Sequence, residues 1–198
     1  MGRKVGLTLE RVVETAAGIA DRHGIEAMSL RVVADELGIK TPSLYNHVAG
    51  LAGLRRELAL YAAGQVGAIF STEVVGESPS EALHRLAVEY RRFAKQRPGV
   101  YQALLPAPAP GDDEELYVAM AAPVAALRRH LVEGGVPAEQ TVHLIRALRA
   151  TIHGFVDLEM KDGFGMPEDI DDSFDRAVAV VVAGSLGGVR ASSDGLVG

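Results

Sequence analysis

The sequence predicts an all-α protein with a small N-terminal helical domain and a larger C-terminal helical domain. Apolar residues recur at helical spacing through most of the chain. Glycine or proline separates successive stretches of this kind, as expected where helices end and restart. With 198 residues, 48% of them apolar, the chain can also bury a sizeable core.

The first two helices are predicted from their end signals. Thr8 can cap a helix that ends at Gly24. Ser29 can cap a second helix, which Gly38 ends about two turns later. The apolar positions of this second helix follow the i, i+3, i+4, i+7 pattern and are Leu30, Val33, Ala34 and Leu37.

A third short helix is predicted to begin with Thr41 as its cap and Pro42 at its first helical position. At about 100° per residue, Leu44 and Val48 share the side that faces the core. Two short helices joined by a glycine-bearing turn, with polar groups outside, are typical of a helix-turn-helix unit that enters the DNA major groove. The alternative is an ordinary helical hairpin with a polar exterior.

The outward side chains of this unit are assigned to two roles. Those near the centre of the outer face are expected to read base edges, and those that flank it are expected to contact phosphates. The predicted base-reading residues are Thr41, Pro42, Tyr45 and Asn46. The predicted phosphate-contacting residues are Ser29, Ser43 and His47.

The run from Met28 to Val48 closely resembles the DNA-binding domain of TetR-type transcriptional regulators. The most specific part is Leu37-Gly38-Ile39, followed by Pro42-Ser43-Leu44-Tyr45 and by His47. This resemblance begins near Thr8 and covers about 50 residues. It implies a homodimer that binds palindromic operator DNA and is released by a small-molecule effector. It also adds Arg31 to the residues expected to read bases.

A longer helix is predicted over residues 51–70, where it links a DNA-binding domain at residues 1–50 to a regulatory and dimerisation domain at residues 51–198. Arg55 and Arg56 are interpreted as a basic patch on this helix. In TetR-like sequences a lysine commonly stands at the position of Leu51, so this chain lacks that side-chain contact to phosphate. The backbone N–H groups at the helix start can still approach a phosphate.

The C-terminal part is predicted to hold four further helices, at about residues 79–97, 112–133, 137–160 and 170–186. Ser78 and Glu81 form a capping box at the start of the first of these. One or two helical turns are expected at residues 101–105, and a loose tail at residues 187–198. The basic run Arg91, Arg92, Lys95 and Arg97 is interpreted as a solvated face.

Residues 146–159, with their His153-Gly154 pair, resemble the C-terminal domains of one branch of the TetR family. In that family the last two helices of each subunit form a four-helix dimer interface. The seven consecutive apolar residues at 177–183 fit such an interface, because one helical face cannot hide all of them inside a single subunit. The residues expected at the homodimer interface are Phe155, Val178 and Val182.

A regulatory pocket is predicted among residues 80–165, where polar side chains are sparse. An apolar pocket with few polar groups favours a small hydrophobic effector. The alternative is that these side chains only complete the core. The candidate ligand-binding residues are Tyr90, Tyr101, Tyr117, His143 and His153.

Composition and charge argue against several other classes. The chain has no cysteine, no leader pattern and no apolar run of about 18 residues, so we expect a cytoplasmic protein with no membrane partner. Residues 1–56 hold eight Lys/Arg and six Asp/Glu, a net charge of +2, although the whole chain has a net charge of -6. A mildly basic N-terminal region in an otherwise acidic chain favours local contact with phosphates over bulk electrostatic attraction to DNA.

No catalytic or metal-binding pattern competes with this interpretation. The six histidines lack paired ligand spacing, no Gly-x-Ser-x-Gly motif occurs, and the glycines at 184, 187 and 188 follow a helix rather than a strand. We therefore expect no enzyme activity, no metal and no cofactor. The predicted function is a TetR-like, ligand-responsive transcriptional regulator, most often a repressor. The alternative is a dimeric ligand-binding or protein-interaction module without promoter repression, which only Leu51 supports.

Overall fold

The computed structural model describes residues 6–70, 77–106 and 111–193, with side chains described up to residue 184. Within these ranges the chain forms helices and no strand, which confirms the predicted all-α class. Short 3-10 helices occupy Ile25–Ala27 and Thr41–Asn46. The α-helices are α1 Leu9–His23, α2 Leu30–Leu37, α3 Gly50–Phe70, α4 Pro79–Gln96, α5 Pro98–Gln102, α6 Glu114–Glu133, α7 Ala138–Met160 and α8 Ile170–Ser193.

The chain divides into two compact units. The first unit comprises Met1–Gln65 and Gln96–Met120, and the second comprises Val66–Lys95 and Ala121–Gly198. The segment 96–120 thus packs with the N-terminal helices although it follows them by thirty residues or more. The two compact units do not test the prediction that a DNA-binding domain ends at residue 50 and a regulatory domain begins at residue 51, so that functional division stays a prediction.

The first unit is built around the apolar face of α1. Its cap is the predicted one, since the Thr8 hydroxyl accepts a hydrogen bond from the Arg11 N–H at 3.2 Å. Most of the fully buried side chains of this unit come from α1, α2, the 3-10 helix Thr41–Asn46 and α3, at the helical spacing seen in the sequence. They include Val12, Ala16, Val33, Ala34, Leu44, Leu54 and Leu58.

The second unit has α7 and α8 packed against each other. The buried positions of α7 recur every four residues, at Leu144, Leu148, Ile152 and Val156. On α8 the aromatic ring of Phe174 is fully buried and contacts Phe155 at 5.3 Å between ring centroids. The predicted capping box opens α4, because the Ser78 N–H donates to Glu81 at 2.8 Å and the Glu81 N–H donates to the Ser78 hydroxyl at 3.3 Å.

The basic run that the sequence predicted as a solvated face is solvated only in part, since Arg92 and Lys95 are exposed but Arg91 is not. Arg91 is buried, and its guanidinium donates two hydrogen bonds to Glu159 of α7, at 2.6 and 2.7 Å. The same guanidinium reaches Asp171 of α8 at 2.7 Å and lies 4.5 Å from the centre of the Phe174 ring. The long arginine stem buries apolar surface, and two carboxylates compensate its charge, so the buried guanidinium is not left unpaired.

Two helix boundaries also differ from the prediction. The α-helix α8 continues to Ser193, whereas we expected a tail from residue 187. Glycine weakens a helix by only about 1 kcal/mol, and no proline follows Pro167 to stop it. The turn predicted at residues 101–105 begins earlier, as α5, because Pro98 fits the first turn of a helix.

Candidate nucleic-acid interface

The helix α2 has the predicted ends. The Ser29 hydroxyl oxygen accepts a hydrogen bond from the Val32 N–H at 3.3 Å. Gly38 adopts a left-handed conformation at φ 67°, and the following Ile39 N–H donates to the Ala34 carbonyl at 3.0 Å. Only glycine adopts this conformation without steric cost, so Gly38 sets the direction in which the chain enters the next helix.

The second helix of the pair is a 3-10 helix rather than the α-helix that we predicted. Its N-cap position is Lys40, not Thr41, and the Ser43 and His47 N–H groups bond to carbonyls three residues earlier, at 2.9 Å each. The segment is only six residues long and gives way to Gly50 at φ 73°. Such a short piece is closed by the tighter i to i+3 bonds.

This helix type changes which side chains share a face. Residues three apart eclipse one another in a 3-10 helix, so the six residues form three ridges. The first ridge holds Leu44, which is fully buried, with Thr41 and His47 half-buried beside it. The other two ridges are exposed throughout, and they are Pro42 with Tyr45 and Ser43 with Asn46.

The predicted base-reading set is thereby refined. Thr41 lies beside the core rather than at the centre of the outer face, and Ser43 lies on an exposed ridge rather than at a flank. Tyr45 is 62% exposed and is the largest side chain of this surface. Arg31 of α2 is also open, with 87% of its side chain exposed and only a 3.7 Å ion pair to Asp35. The DNA contacts assigned to all eight residues stay predictions.

The basic patch predicted at Arg55 and Arg56 is not free. Arg55 donates to Glu26 at 2.9 Å. Arg56 binds three carboxylates, those of Asp113, of Glu115 at 2.6 Å and of Glu57 at 2.9 Å. The arrangement ties α3 to the start of α6, where Asp113 also caps the helix by accepting from the Leu116 N–H at 3.1 Å.

In this cluster the charge of Arg56 is compensated by its carboxylate partners. The hydrogen bonds from Arg56 and from the Leu116 N–H hold the pKa of the Asp113 carboxyl below its usual value. Hydrogen bonds to Asp113, Glu115 and Glu57 raise the pKa of the Arg56 guanidinium, so it stays charged. The pairing of Asp113 and Glu115 with an arginine over fifty residues away leaves no local pattern in the sequence.

A second contact that the sequence did not reveal joins α1 to α5. The Asp21 carboxylate accepts from the Gly99 and Val100 N–H groups at 2.9 and 3.0 Å, and from Arg97 at 2.6 Å. Gly99 lies so close to α1 that an added Cβ would stand 2.1 Å from the Ala20 carbonyl carbon. The segment α5 is therefore part of the support on which α1 rests.

The five candidate ligand-binding residues do not all belong to one unit. Tyr101 and Tyr117 are in the first unit, where Tyr101 is buried against its neighbours and Tyr117 is 37% exposed. In the second unit, Tyr90 and His153 are half-buried, and His143 is exposed on α7. Burial raises the pKa of the Tyr90 phenol, whose ring stacks with Phe93 and meets Phe70 edge-on.

The second unit also has an open groove of about 640 Å³ between α4 and α8. Its α4 side is polar and its α8 side is apolar. None of the five candidate ligand-binding residues lines it. The lining residues are Ser80, Glu81, His84, Arg85, Val178, Ala179, Val182 and Ala183.

The residues predicted at the dimer interface are mostly inside the single chain. Val178 is fully buried and Val182 is 5% exposed, so neither has much surface left to offer a partner. Phe155 is half-buried between Phe164 and Phe174. The helix α8 buries one stripe of its apolar run within the second unit and leaves another in solvent, where Val180 is 72% exposed. The assignment of Phe155, Val178 and Val182 to a homodimer interface stays a prediction, and in the single chain the exposed apolar surface of α8 is this outer stripe.

Taken together, an all-helical chain with a helix-turn-helix unit and an exposed outer face defines the helix-turn-helix class of DNA-binding regulators. Within the described residues no helix is long and apolar enough to cross a membrane, and no group of His, Asp or Glu is placed to hold a metal ion.

Comparison with known proteins gives the family. Residues 83–181 match the family described as "Tetracyclin repressor-like, C-terminal domain". The uncharacterized HTH-type transcriptional regulator YobS of Bacillus subtilis (strain 168) is 32% identical over 187 residues, which cover 94% of this chain and 96% of that protein. The uncharacterized HTH-type transcriptional regulator Rv0681 of Mycobacterium tuberculosis is 34% identical over 174 residues, covering 86% of this chain and 77% of that protein. The chain belongs to the TetR family, whose members are transcriptional regulators and not enzymes.

Further similarities concern single parts or the fold alone. The HTH-type transcriptional repressor DrrR1 of Streptomyces coeruleorubidus is 57% identical over 49 residues, which cover 25% of this chain and 18% of that protein. Apo ActR of Streptomyces coelicolor has a TM-score of 0.73 at 21% identity, covering 96% of this chain and 100% of that one. A single-substitution variant of TetR from Acinetobacter baumannii AYE, solved in complex with minocycline, has a TM-score of 0.72 at 19% identity, covering 90% of this chain and 96% of that one.

Proposed function

We propose that this protein is a repressor that binds palindromic operator DNA as a homodimer and leaves it when a small hydrophobic effector binds. The observation that supports DNA reading most directly is the pair of exposed ridges on the 3-10 helix Thr41–Asn46. Leu44 anchors the inner ridge in the core, while Tyr45 and Asn46 stand in solvent on the other two. A rigid helix with free polar and aromatic side chains is what direct readout in the major groove needs.

A homodimer follows from the need to engage two half-sites. Two such helices have to lie about 34 to 36 Å apart to enter successive major grooves of one duplex. The surface offered for dimerisation is the exposed stripe of small and apolar residues on α7 and α8. Its members are Ala150, Gly154 and Leu158 of α7 and Val180, Ala183 and Gly184 of α8. Small residues allow close helix approach, and burying this stripe removes apolar area from water.

Effector control is proposed for the second unit. Tyr90, Phe93 and Phe70 form an aromatic cluster there, and His153 is half-buried on α7. Aromatic surface with few polar groups suits an apolar ligand, and a protein of the same fold was solved with minocycline. An effector lowers DNA affinity only by the difference between its affinities for the two conformers, so release is a population shift.

The proposal is tested by selecting duplexes from a randomised library with the wild-type protein. Affinity for the selected duplex and for a scrambled duplex is then measured by fluorescence anisotropy. We expect Arg31→Ala to weaken binding of the selected duplex by about 1 to 3 kcal/mol, as for a bidentate base contact, and to change the scrambled duplex much less. The matched control is Arg22→Ala, which removes another exposed arginine of the same unit, one paired with Glu36 at 2.8 Å.

The possible outcomes separate the two candidate functions. A selected motif with two-fold symmetry supports the repressor. A wild-type protein that enriches no sequence would instead favour the interaction module without promoter repression.

A further inference from the structure

Most arginines in the described part of the first unit are matched by carboxylates of the same unit. Within its described residues every arginine except Arg11 forms an ion pair. The pairs are Arg22 with Glu36, Arg31 with Asp35, Arg55 with Glu26, Arg56 with Asp113, Glu115 and Glu57, and Arg97 with Asp21.

These pairs limit what their arginines can give to DNA. A guanidinium that already holds a carboxylate has little positive field left, and moving it to a phosphate leaves that carboxylate unpaired near a polyanion. Arg56 has three such partners and Arg97 binds a mostly buried carboxylate, so neither is available. Arg31 has the longest and most exposed pair, at 3.7 Å, and can leave it most easily.

Lys40 differs from these arginines in two ways, namely that its charge is not paired in the described part of the chain and that it lies next to the predicted reading helix. It is exposed, and among the described residues it has no carboxylate partner. It occupies the N-cap position of the 3-10 helix, directly before Thr41 and Pro42. Its carbonyl accepts from the Ser43 N–H at 2.9 Å, so its backbone is fixed relative to the reading ridges and only its side chain is free to move.

We infer that Lys40 is the phosphate anchor of this surface. An unmatched ammonium at the entrance of the reading helix meets the backbone of the DNA strand whose bases the helix contacts, and it fixes the position of the helix in the groove. It would supply from the turn the side-chain charge that Leu51 does not supply from the first turn of α3. This inference rests on the proposed function, because it assumes that the 3-10 helix enters the groove.

The test is the salt dependence of DNA binding. Each phosphate contact adds about 0.9 to the slope of log K against log salt concentration, so two subunits that each lose one contact should lower the slope by about 1.8. Between about 50 and 200 mM salt, Lys40→Gln should therefore lose roughly twelvefold less affinity than the wild type. The loss of affinity at low salt should be similar for the selected and the scrambled duplex, because phosphate contacts carry no sequence information.

Two further variants complete the experiment. Lys40→Arg keeps the charge and should keep the wild-type slope. Arg129→Gln removes an exposed cation of the second unit, for which the described residues show no ion pair, and should also leave the slope unchanged. Circular dichroism should show the same helix content for all variants, because each altered side chain is exposed.

Two results would overturn the anchor while leaving the proposed function intact. One is a wild-type slope in Lys40→Gln. The other is a loss confined to the selected duplex, which would make Lys40 a base-reading residue. A wild-type protein that selects no duplex would overturn the proposed function and the anchor with it.

Discussion

Ser29 has an observed role as a helix cap and a predicted role as a phosphate contact, and substitution can separate the two. Its hydroxyl oxygen accepts the hydrogen bond of the Val32 N–H and so stabilises the start of α2. The hydroxyl hydrogen is free to donate to a phosphate, which is the role that the sequence predicted. A cap needs only an acceptor, whereas a phosphate contact needs a donor and tolerates no negative charge.

We therefore expect Ser29→Asp to keep stability and to lose DNA affinity. Aspartate caps a helix as well as serine does and favours the positive end of the helix dipole, so the melting temperature should be retained. Affinity for selected and scrambled duplexes should both fall by about tenfold, roughly 1.4 kcal/mol, because the new charge repels phosphate. Thermal unfolding and anisotropy measure the two effects.

Two control variants separate the capping role of Ser29 from its predicted phosphate contact. Ser29→Asn keeps an uncharged cap and should retain both properties. Ser29→Ala removes the cap and should cost about 1 kcal/mol of stability, a fall of about 2 to 4 °C in melting temperature. If Ser29→Asp bound DNA as the wild type does, the phosphate role of Ser29 would be wrong.

At the scale of elements, the contact between α1 and α5 requires glycine at position 99, because a side chain there would collide with the backbone of α1. The Asp21 carboxylate fixes the first turn of α5, and Gly99 lets that turn touch the backbone of α1. Val100 and Tyr101, which follow, are buried. The contact thus makes a five-residue helix, α5, a structural part of the first unit.

Gly99→Ala should therefore destabilise the protein, although alanine normally favours a helix. The new Cβ would lie 2.1 Å from the Ala20 carbonyl carbon. The backbone of a helix cannot move aside as the end of a flexible side chain can. We expect a loss of about 1 to 3 kcal/mol or more in the free energy of unfolding, measured by urea titration.

Gly64→Ala is the matched control for this substitution. Gly64 is exposed on α3 with no atom within 4 Å of an added Cβ, so that change should stabilise by up to about 1 kcal/mol. Equal stabilities of the two variants would contradict the close contact between α1 and α5.

The ion pair between α4 and α7 makes stability depend on pH. Burial alone would raise the pKa of the Glu159 carboxyl, but the hydrogen bonds from Arg91 and Lys95 outweigh it and hold the pKa below the usual 4.5. A carboxyl with a lowered pKa stabilises the fold above its unfolded value, and this contribution is lost as the pH falls through the folded pKa. The pair therefore contributes fully near neutral pH and fades below pH 4.5.

Glu159→Gln should lower stability at neutral pH and flatten its acid dependence. Breaking a buried pair by removing one charge costs up to about 3 kcal/mol, and here Arg91 stays buried with only the exposed carboxylate of Asp171 as an ionised partner among the described residues. Between about pH 5 and pH 3 the variant should lose less further stability than the wild type, since it has no carboxyl to protonate there. Glu168→Gln, at an exposed position, should follow the wild-type curve. A variant curve parallel to the wild type across this range would show that Glu159 does not control it.

At the scale of the whole molecule, the two sides of α8 predict opposite effects for the same substitution. Val180 is 72% exposed in the single chain, whereas Val178, two residues earlier, is fully buried. If the outer stripe forms the homodimer interface, a charge at 180 meets the partner and a charge at 178 meets the core of its own subunit.

Val180→Glu should give a folded monomer that no longer binds a two-half-site duplex tightly. An unpaired charge in a desolvated interface costs several kcal/mol, so the dimer dissociation constant should rise about a hundredfold or more. Val178→Glu should instead lower the melting temperature. Sedimentation velocity at micromolar concentration and thermal unfolding distinguish the two. A wild-type monomer, or a dimer that Val180→Glu leaves intact, would rule out this interface.

The all-α class, the family and most helix ends could be predicted from the amino-acid sequence, because these features depend on neighbours along the chain. Thr8, Ser29 and Gly38 act on backbone groups within four residues, so their cap roles could be derived from residue type and spacing. The exposure of the Tyr45 side chain could also be predicted, from the helical spacing of the apolar residues around it.

Features that join distant parts of the chain, or that depend on the helix type, required the three-dimensional structure. The partners that Arg56, Arg91 and Asp21 find on other helices stand fifty or more residues away, and charge pairing over that distance has no periodic sequence signal. The 3-10 form of residues 41–46 turned Thr41 toward the core, since 120° and 100° per residue diverge within one turn.

The same holds for the run at 177–183. Its sequence showed that α8 is apolar on several sides, but packing within the second unit hides Val178 and leaves Val180 in solvent. A helix can bury either of two apolar stripes, and its neighbours determine which one it buries.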